Sequence, residues 1–241
     1  MQDTPIISVR NLTKKFGNFT ADDNLTFDVK QGEIFGFLGA NGAGKTTAIK
    51  IFCGLLLPTS GEVKIAGYDI YKDTEKIKKN IGYMSQRFSL YEDLTVKENI
   101  RFYARIYGLS KTEIKQKTEE LLEKLNFKHA LNKRIKDIPL GWKQKLAFST
   151  AVFHNPKIVF LDEPTGGVDP ITRRQFWDLI YETAEKGITV FVTTHYMDEA
   201  EYCDRVSIME TGKIEAIGTP SELTQKYKVK NMDDVFLKIA R

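Results

Sequence analysis

The stretch Gly39-Ala40-Asn41-Gly42-Ala43-Gly44-Lys45-Thr46 decides the fold. It fits the pattern G-x-x-x-x-G-K-[ST] in full. The apolar run Ile34–Leu38 comes before it, and a helical pattern through Ile49, Ile51 and Leu55 comes after it. Strand, glycine loop and helix in that order make a phosphate cradle. Glycines let the backbone curl until successive N–H groups point at phosphate oxygens, and the helix N-terminus adds the positive end of its dipole. Lys45 is then placed to reach the β- and γ-phosphates and the Thr46 hydroxyl to ligand Mg2+, with Thr47 next along the helix. A glycine-rich turn without a ligand is the plain alternative, and Gly42, Gly44, Lys45 and Thr46 all in register disfavour it. A nucleoside triphosphate site is expected here.

A second element belongs with the first. Lys157-Ile158-Val159-Phe160-Leu161-Asp162-Glu163 reads as a buried strand ending in two carboxylates. Strand side chains alternate, so Asp162 and Glu163 are expected to face apart and to take different jobs. Asp162 suits the outer coordination of Mg2+, and Glu163 suits a general base polarising the attacking water. Acidic residues after a strand are common, so the pair gains its weight from the phosphate loop.

Composition narrows the classes. A chain of 241 residues with 41% hydrophobic and 28% charged residues has the make-up of an ordinary soluble globular protein. That length suits one large domain or one domain with an inserted subdomain. Its 36 Lys and Arg against 32 Asp and Glu leave +4, which does not argue for a nucleic-acid partner. Lys76, Lys78 and Lys79 read as a solvated helix face. Cys53 and Cys203 lack metal spacing, so a reduced chain is expected. No apolar run approaches the roughly 20 residues that cross a bilayer. Met1-Gln2-Asp3-Thr4-Pro5 lacks the positive and apolar regions of a signal peptide. The chain is expected to be neither secreted nor, by itself, membrane-spanning.

Short strand-like runs dominate the first part: Ile6–Val9, Leu25–Val29, Ile34–Leu38 and Val63–Ile65. Between Ser89 and Asn155 the pattern turns helical, over Val96–Tyr107, Lys111–Leu125 and the segment after Gly141. Strands Ile158–Leu161 and Ile188–Val192 follow, with a helix through Phe176, Leu179 and Ile180 between them. A late hairpin, Val206–Met209 with Ile214–Ile217, and a helix over Asp233–Ile239 end the chain. Alternating strands and helices predict an α/β fold with a mainly parallel sheet, the helical stretch being an insertion.

Further markers surround this framework. Asp162-Glu163-Pro164-Thr165 runs into Gly166-Gly167-Val168-Asp169, and His195 ends the strand pattern Val192-Thr193-Thr194. Gln86 follows Tyr83-Met84-Ser85, and Phe16 follows Lys14-Lys15. Together they resemble the nucleotide-binding domain of ABC transporters over nearly the whole chain. The resemblance implies a P-loop NTPase core with a mainly parallel sheet, an antiparallel β subdomain near the N-terminus and an inserted α-helical subdomain. Residues 1–241 would be one domain, with 1–87 and 156–241 as core and 88–155 as the helical part. It implies ATP and Mg2+ as cofactors and ATP hydrolysis as the activity. Lys45, Glu163 and His195 would be catalytic, and Thr46, Gln86 and Asp162 would hold the metal. Phe16 would stack on adenine beside Gly39–Thr47, and Gly166–Asp169 would be the D-loop at the dimer interface.

Finer likeness points to type-2 exporters, the bacterial multidrug efflux ATPases. It lies in Ser85-Gln86-Arg87-Phe88-Ser89-Leu90-Tyr91-Glu92-Asp93-Leu94-Thr95 and in His195-Tyr196-Met197-Asp198-Glu199-Ala200. The likeness implies a peripheral place at the cytoplasmic face of the cell membrane, with a second ATPase domain, in a homodimer or heterodimer, and integral-membrane permease subunits as partners. No nucleic-acid partner is expected. Phe88, Leu90, Tyr91, Phe102, Tyr103 and Tyr107 are expected to line the groove for a permease helix, unless about half of them are core. A non-transport relative acting in translation or DNA repair, an ATP clamp without hydrolysis and a phosphate-loop kinase are the alternatives.

One stretch departs from the family. Ile138-Pro139-Leu140-Gly141-Trp142-Lys143-Gln144 stands where Leu-Ser-Gly-Gly-x-x-Gln is expected. Pro139 replaces the serine and offers neither a hydroxyl nor an N–H to a phosphate. Leu140 replaces the first glycine and adds bulk where backbone should approach closely. A mere helix start is the plain reading, since Pro suits a first turn. The sharper reading is an impaired signature offered to the dimer partner.

Overall fold

The computed structural model describes residues 4–86 and 90–239. Strands β1 (Ile7–Phe16) and β2 (Phe19–Val29) form a hairpin, and β3 (Ile34–Gly39) leads into α1 (Lys45–Phe52). Then come β4 (Ser60–Ile65), β5 (Tyr68–Asp69), α2 (Thr74–Asn80) and β6 (Ile81–Met84). Helices α3 (Val96–Ile106), α4 (Lys111–Lys124) and α5 (Leu140–Ala151) precede β7 (Ile158–Asp162) and α6 (Pro170–Glu185). Strand β8 (Thr189–Thr194), a 3-10 turn over Met197–Tyr202, β9 (Arg205–Glu210) and β10 (Lys213–Gly218) follow, and α7 (Pro220–Tyr227) and α8 (Met232–Ile239) close the described chain.

Two sheets result. One is antiparallel, in the order β2-β1-β4-β5; the other runs β10-β9-β3-β8-β7-β6 and is parallel except where β10 pairs with β9. The fold is the expected α/β arrangement. Every residue of β3, β7 and β8 is buried. These near-continuous apolar runs belong to central parallel strands covered on both faces. In the six-residue β4, by contrast, Val63 and Ile65 are buried while Lys64 between them is exposed. The two sheets meet through phenylalanines. Phe191 lies 5.3 Å from Phe37, 5.5 Å from Phe160, 5.6 Å from Phe35 and Phe52, and 6.3 Å from Phe27 of β2. That cluster fixes the antiparallel sheet over the start of the phosphate loop.

Helix starts in the middle of the chain follow local capping. Thr95 with Glu98 and Ser110 with Glu113 form capping boxes at α3 and α4. Two expectations shift. Helix α1 stops at Phe52, and Leu55, beyond the turn at Gly54, is exposed rather than on its apolar face. Helix α5 begins at Leu140, not after Gly141, with Pro139 at its N-cap. Lys76 and Lys78 do lie on a solvated face of α2, paired with Asp73 and Glu75 at 2.8 Å. Cys53 and Cys203 are buried and free. Among the described residues no helix is long and apolar enough to cross a membrane.

The aromatic groove does not form as one surface. Tyr91, Phe102 and Tyr103 cluster, with Tyr91 and Phe102 4.8 Å apart and edge to face. Leu90 instead enters the core. Tyr107 turns to His154, stacking at 3.7 Å beside a separate cavity of about 610 Å³. Phe88 lies outside the described residues.

Candidate nucleotide site

The loop between β3 and α1 is bound closely to its surroundings. Gly44 has φ 110°, and a Cβ there would lie 2.5 Å from the Ala21 carbonyl oxygen and 2.6 Å from Asp22 Oδ1. Only glycine fits, for backbone reasons and for space. From the other side, the β9–β10 turn braces the loop. The Gly212 N–H donates to the Ala43 carbonyl (3.0 Å), and the Asp23 N–H donates to the Gly212 carbonyl (2.7 Å).

Lys45, first residue of α1, is buried. Its Nζ donates to the carbonyls of Gly39 (2.7 Å) and Ala40 (3.0 Å) and pairs with Glu163 Oε1 at 3.3 Å. Burial lowers the pKa of this ammonium, against the pull of Glu163 and Asp162. The Thr46 hydroxyl donates to Asp162 Oδ1 (3.2 Å), and so does the Thr193 hydroxyl of β8 (2.9 Å). Burial pushes the Asp162 carboxyl up, and these two hydrogen bonds hold it back.

Asp162 and Glu163 do face apart, but strand alternation is not the reason. Strand β7 ends at Asp162, and Glu163 sits at φ 49°, in the left-handed region. Its N–H donates to the carbonyl (3.1 Å) and the hydroxyl (3.0 Å) of Thr193, which hold it there. The turned carboxylate becomes a hub. Oε2 accepts from Gln86 Nε2 (3.0 Å) and from His195 Nδ1 (3.1 Å), while Oε1 faces Lys45. Residues that span positions 45 to 195 thus meet at one side chain. A cavity of about 380 Å³ opens above them, lined among others by Asn41, Gly42, Thr47 and Gln86. Its aromatic wall is Phe19, not Phe16. Phe16 pairs with Phe19 across the hairpin and is exposed, with Lys14 Nζ 4.9 Å above its ring.

The other two histidines stay outside this site. His154 Nε2 donates to the Ile81 carbonyl (3.0 Å), and burial lowers its pKa to about 4. His129 packs edge to face on Phe127.

The loop after Glu163 leads to α6. Asp169 caps it, Oδ1 accepting from the N–H groups of Ile171 and Thr172 at 3.0 Å, and Pro170 takes the first helical position. Gly166, Gly167 and Val168 cross between these points, and Gly166 is held by buried Gln144, whose Nε2 donates to its carbonyl (3.0 Å). At the start of α5, a Cβ on Gly141 would lie 2.5 Å from Thr172 Cγ2. Trp142 stacks on Phe127 at 4.4 Å, and Lys143 pairs with Glu92 at 3.3 Å. Pro139 makes no side-chain cap, and Leu140 is 38% exposed. The first turn of α5 therefore presents carbon, where a hydroxyl and a bare backbone are expected.

Sequence reasoning missed Asp22. It is completely buried, and neither carboxylate oxygen finds a hydrogen-bond partner among the described residues. Burial raises its pKa to about 7. Between the usual carboxylate range and about pH 7 the folded chain holds a proton that the unfolded chain has released. Stability therefore falls as pH rises through that window, and the loss is complete above it. Asp22→Asn, neutral throughout, is expected to remove this fall. Urea unfolding should find it more stable than the parent at pH 8 by about 2 kcal/mol or more, with the gain shrinking steadily toward the ordinary carboxylate pKa. Each pH unit that separates the folded from the unfolded titration is worth roughly 1.4 kcal/mol. An unchanged pH slope would contradict the assignment.

Comparison with known proteins bears on the family and the fold. The sequence pattern of the ABC transporter family matches residues 23–166. A probable multidrug ABC transporter ATP-binding protein of Escherichia coli K12 is 50% identical over 218 residues, 90% of this chain and 38% of that protein. The chain thus spans well under half of that relative's length. The linearmycin resistance ATP-binding protein of Bacillus subtilis is 37% identical over 222 residues, 92% of this chain and 71% of that protein. Among solved structures, an ATP-binding cassette seen as a dimer in a post-hydrolysis state, bound to ADP and Pi, superposes with a TM-score of 0.80. Its identity is 28%, over 88% of this chain and 98% of that one. By its phosphate loop, its sheet order and these relatives, the chain belongs to the ABC transporter family, as an ATP-binding domain.

Proposed function

We propose that this domain binds ATP with Mg2+, hydrolyses it, and by closing and opening a dimer powers a membrane permease that exports drugs or other small molecules. The meeting of Lys45, Gln86 and His195 on Glu163 supports the hydrolytic part most. The donor set suits a hard cation: the Thr46 hydroxyl and Asp162 carboxylate already touch, and the Gln86 amide oxygen can join them. Mg2+ held there would neutralise phosphate charge. Lys45 leaves Glu163 for the β- and γ-phosphates, so Glu163 is free to take the proton of the attacking water. His195, bonded to Glu163 through Nδ1, keeps Nε2 for the γ-phosphate. Phe16 or Phe19, both at the hairpin end, offers a ring to adenine.

A role in drug transport or resistance is supported by the names of the relatives, and a dimer by the post-hydrolysis structure. The relatives lend nothing to a role in translation or DNA repair. In such a dimer α5 faces the partner's ATP, and Pro139 and Leu140 leave it poorly equipped to do so. A partner with an intact signature would then give one competent site, built on Lys45 and Glu163, and one slow site.

Glu163→Gln should lower ATP turnover by about a hundredfold or more while the protein still binds ATP, because it removes a base and little volume. Turnover within about threefold of the parent would exclude the base role. The double change Pro139→Ser with Leu140→Gly should raise the turnover of the chain on its own, read as phosphate release. No gain would rule out an impaired signature.

A further inference from the structure

A run of contacts links the loop after Glu163 to His195 without passing through the nucleotide cavity. Thr165 Oγ1 donates to Glu199 Oε1 at 2.6 Å. Arg173 of α6 brings its Nε to 3.6 Å from the same oxygen, and its Nη1 to 3.4 Å from Asp198 Oδ2. The Arg173 guanidinium lies over the Tyr196 ring, 4.1 Å from the centroid. The Tyr196 ring lies against His195, with 4.2 Å between centroids. Tyr196 is itself fixed, its N–H donating to the Thr194 hydroxyl at 3.0 Å.

Glu199 is 0% exposed. A buried carboxylate is costly unless paired and hydrogen-bonded, and among the described residues only Oε1 is hydrogen-bonded, so the Thr165 hydroxyl and Arg173 matter the more to it. Burial raises its pKa, and the Thr165 hydrogen bond opposes this first among its neighbours. The guanidinium is planar and stays charged, so its Nε meets the carboxylate as an ion pair at 3.6 Å, without a hydrogen bond, while its face meets the Tyr196 ring. Thr165 directly precedes Gly166, the residue that Gln144 of α5 grips.

We propose that Arg173 and Glu199 are positioning residues that tie the loop from Thr165 to Asp169 to His195. A displacement of that loop, which the resemblance would place at a dimer interface, is then felt as a change in how His195 meets Glu163. Arg173 acts through Tyr196, and Glu199 acts through Arg173. The inference deepens the ATPase reading and rests on it for its kinetic consequence.

Spatial continuity is not coupling, so the test is a double-mutant cycle. Thr165→Val removes only the hydroxyl at one end, and Tyr196→Leu removes the ring at the other. Each single change should lower kcat about five- to tenfold with KM for ATP held within about twofold, and the double should be no worse than the worse single. Thr165→Ser should restore the parent rate. A double variant whose loss is the product of the two single losses would overturn the proposal. The same cycle is read in the chain without added nucleotide by NMR of its 3 histidines. Thr165→Val should shift the His195 ring signals in the parent and leave them still in the Tyr196→Leu background. If neither the parent nor its form with Pro139→Ser and Leu140→Gly hydrolyses ATP but this shift pattern appears, the ATPase reading falls and the tie stands. If His195 ignores Thr165→Val in the parent, the tie falls.

Discussion

Glu163 is placed where no extended residue could be. Its left-handed backbone swings the carboxylate off the line of β7 and into the space between the phosphate loop, Gln86 and His195. Thr193 of the neighbouring strand takes its N–H twice and so fixes the turn. Everything else in the site is arranged around that point. Lys45 reaches it from α1, and Asp162, one residue earlier, remains in the sheet to hold the Thr46 hydroxyl. The parallel pairing of β3, β7 and β8 brings these pieces together, and the Phe191 cluster locks that pairing beneath the antiparallel sheet.

The same core explains why the loop has so little freedom. Gly44 has backbone and a buried carboxyl against it, and Gly212 holds Ala43 from the next turn. A fully buried Asp22 with no hydrogen-bond partner is costly unless neutral, and burial moves its proton loss to about pH 7. At the far side, α5 packs Gln144 and Trp142 well but turns Leu140 outward. The helix is sound as structure and altered as a binding surface.

Much of this is legible in the sequence, and the reasons differ by residue. The phosphate loop is contiguous, so Gly39 to Thr47 can be read directly. Asp162 and His195 end apolar runs, and a strand end is easily seen. Glu163 is found in the same way, although its direction comes from a φ angle that alternation cannot foresee. Leu55 fits a helical period that the turn at Gly54 interrupts. Phe16 is read from its match to the family's aromatic after Lys14-Lys15, whereas Phe19, its partner across the hairpin, is the ring that lines the cavity. Asp22 is hidden because Ala21 and Asp22 are both buried, which breaks the alternation of β2 beside the register shifts of its pairing with β1. The Thr165–Glu199 bond joins positions 34 apart and carries no local signature.

If Glu163 is to act as a base, Lys45 must trade it for phosphate when ATP binds. Equilibrium affinity for Mg-ATP, measured on the parent and on Glu163→Gln by calorimetry, tests that trade most directly. The trade predicts tighter binding by the variant, about five- to tenfold, because no carboxylate then competes for a buried ammonium. Equal affinities, or weaker binding by Glu163→Gln, would contradict it.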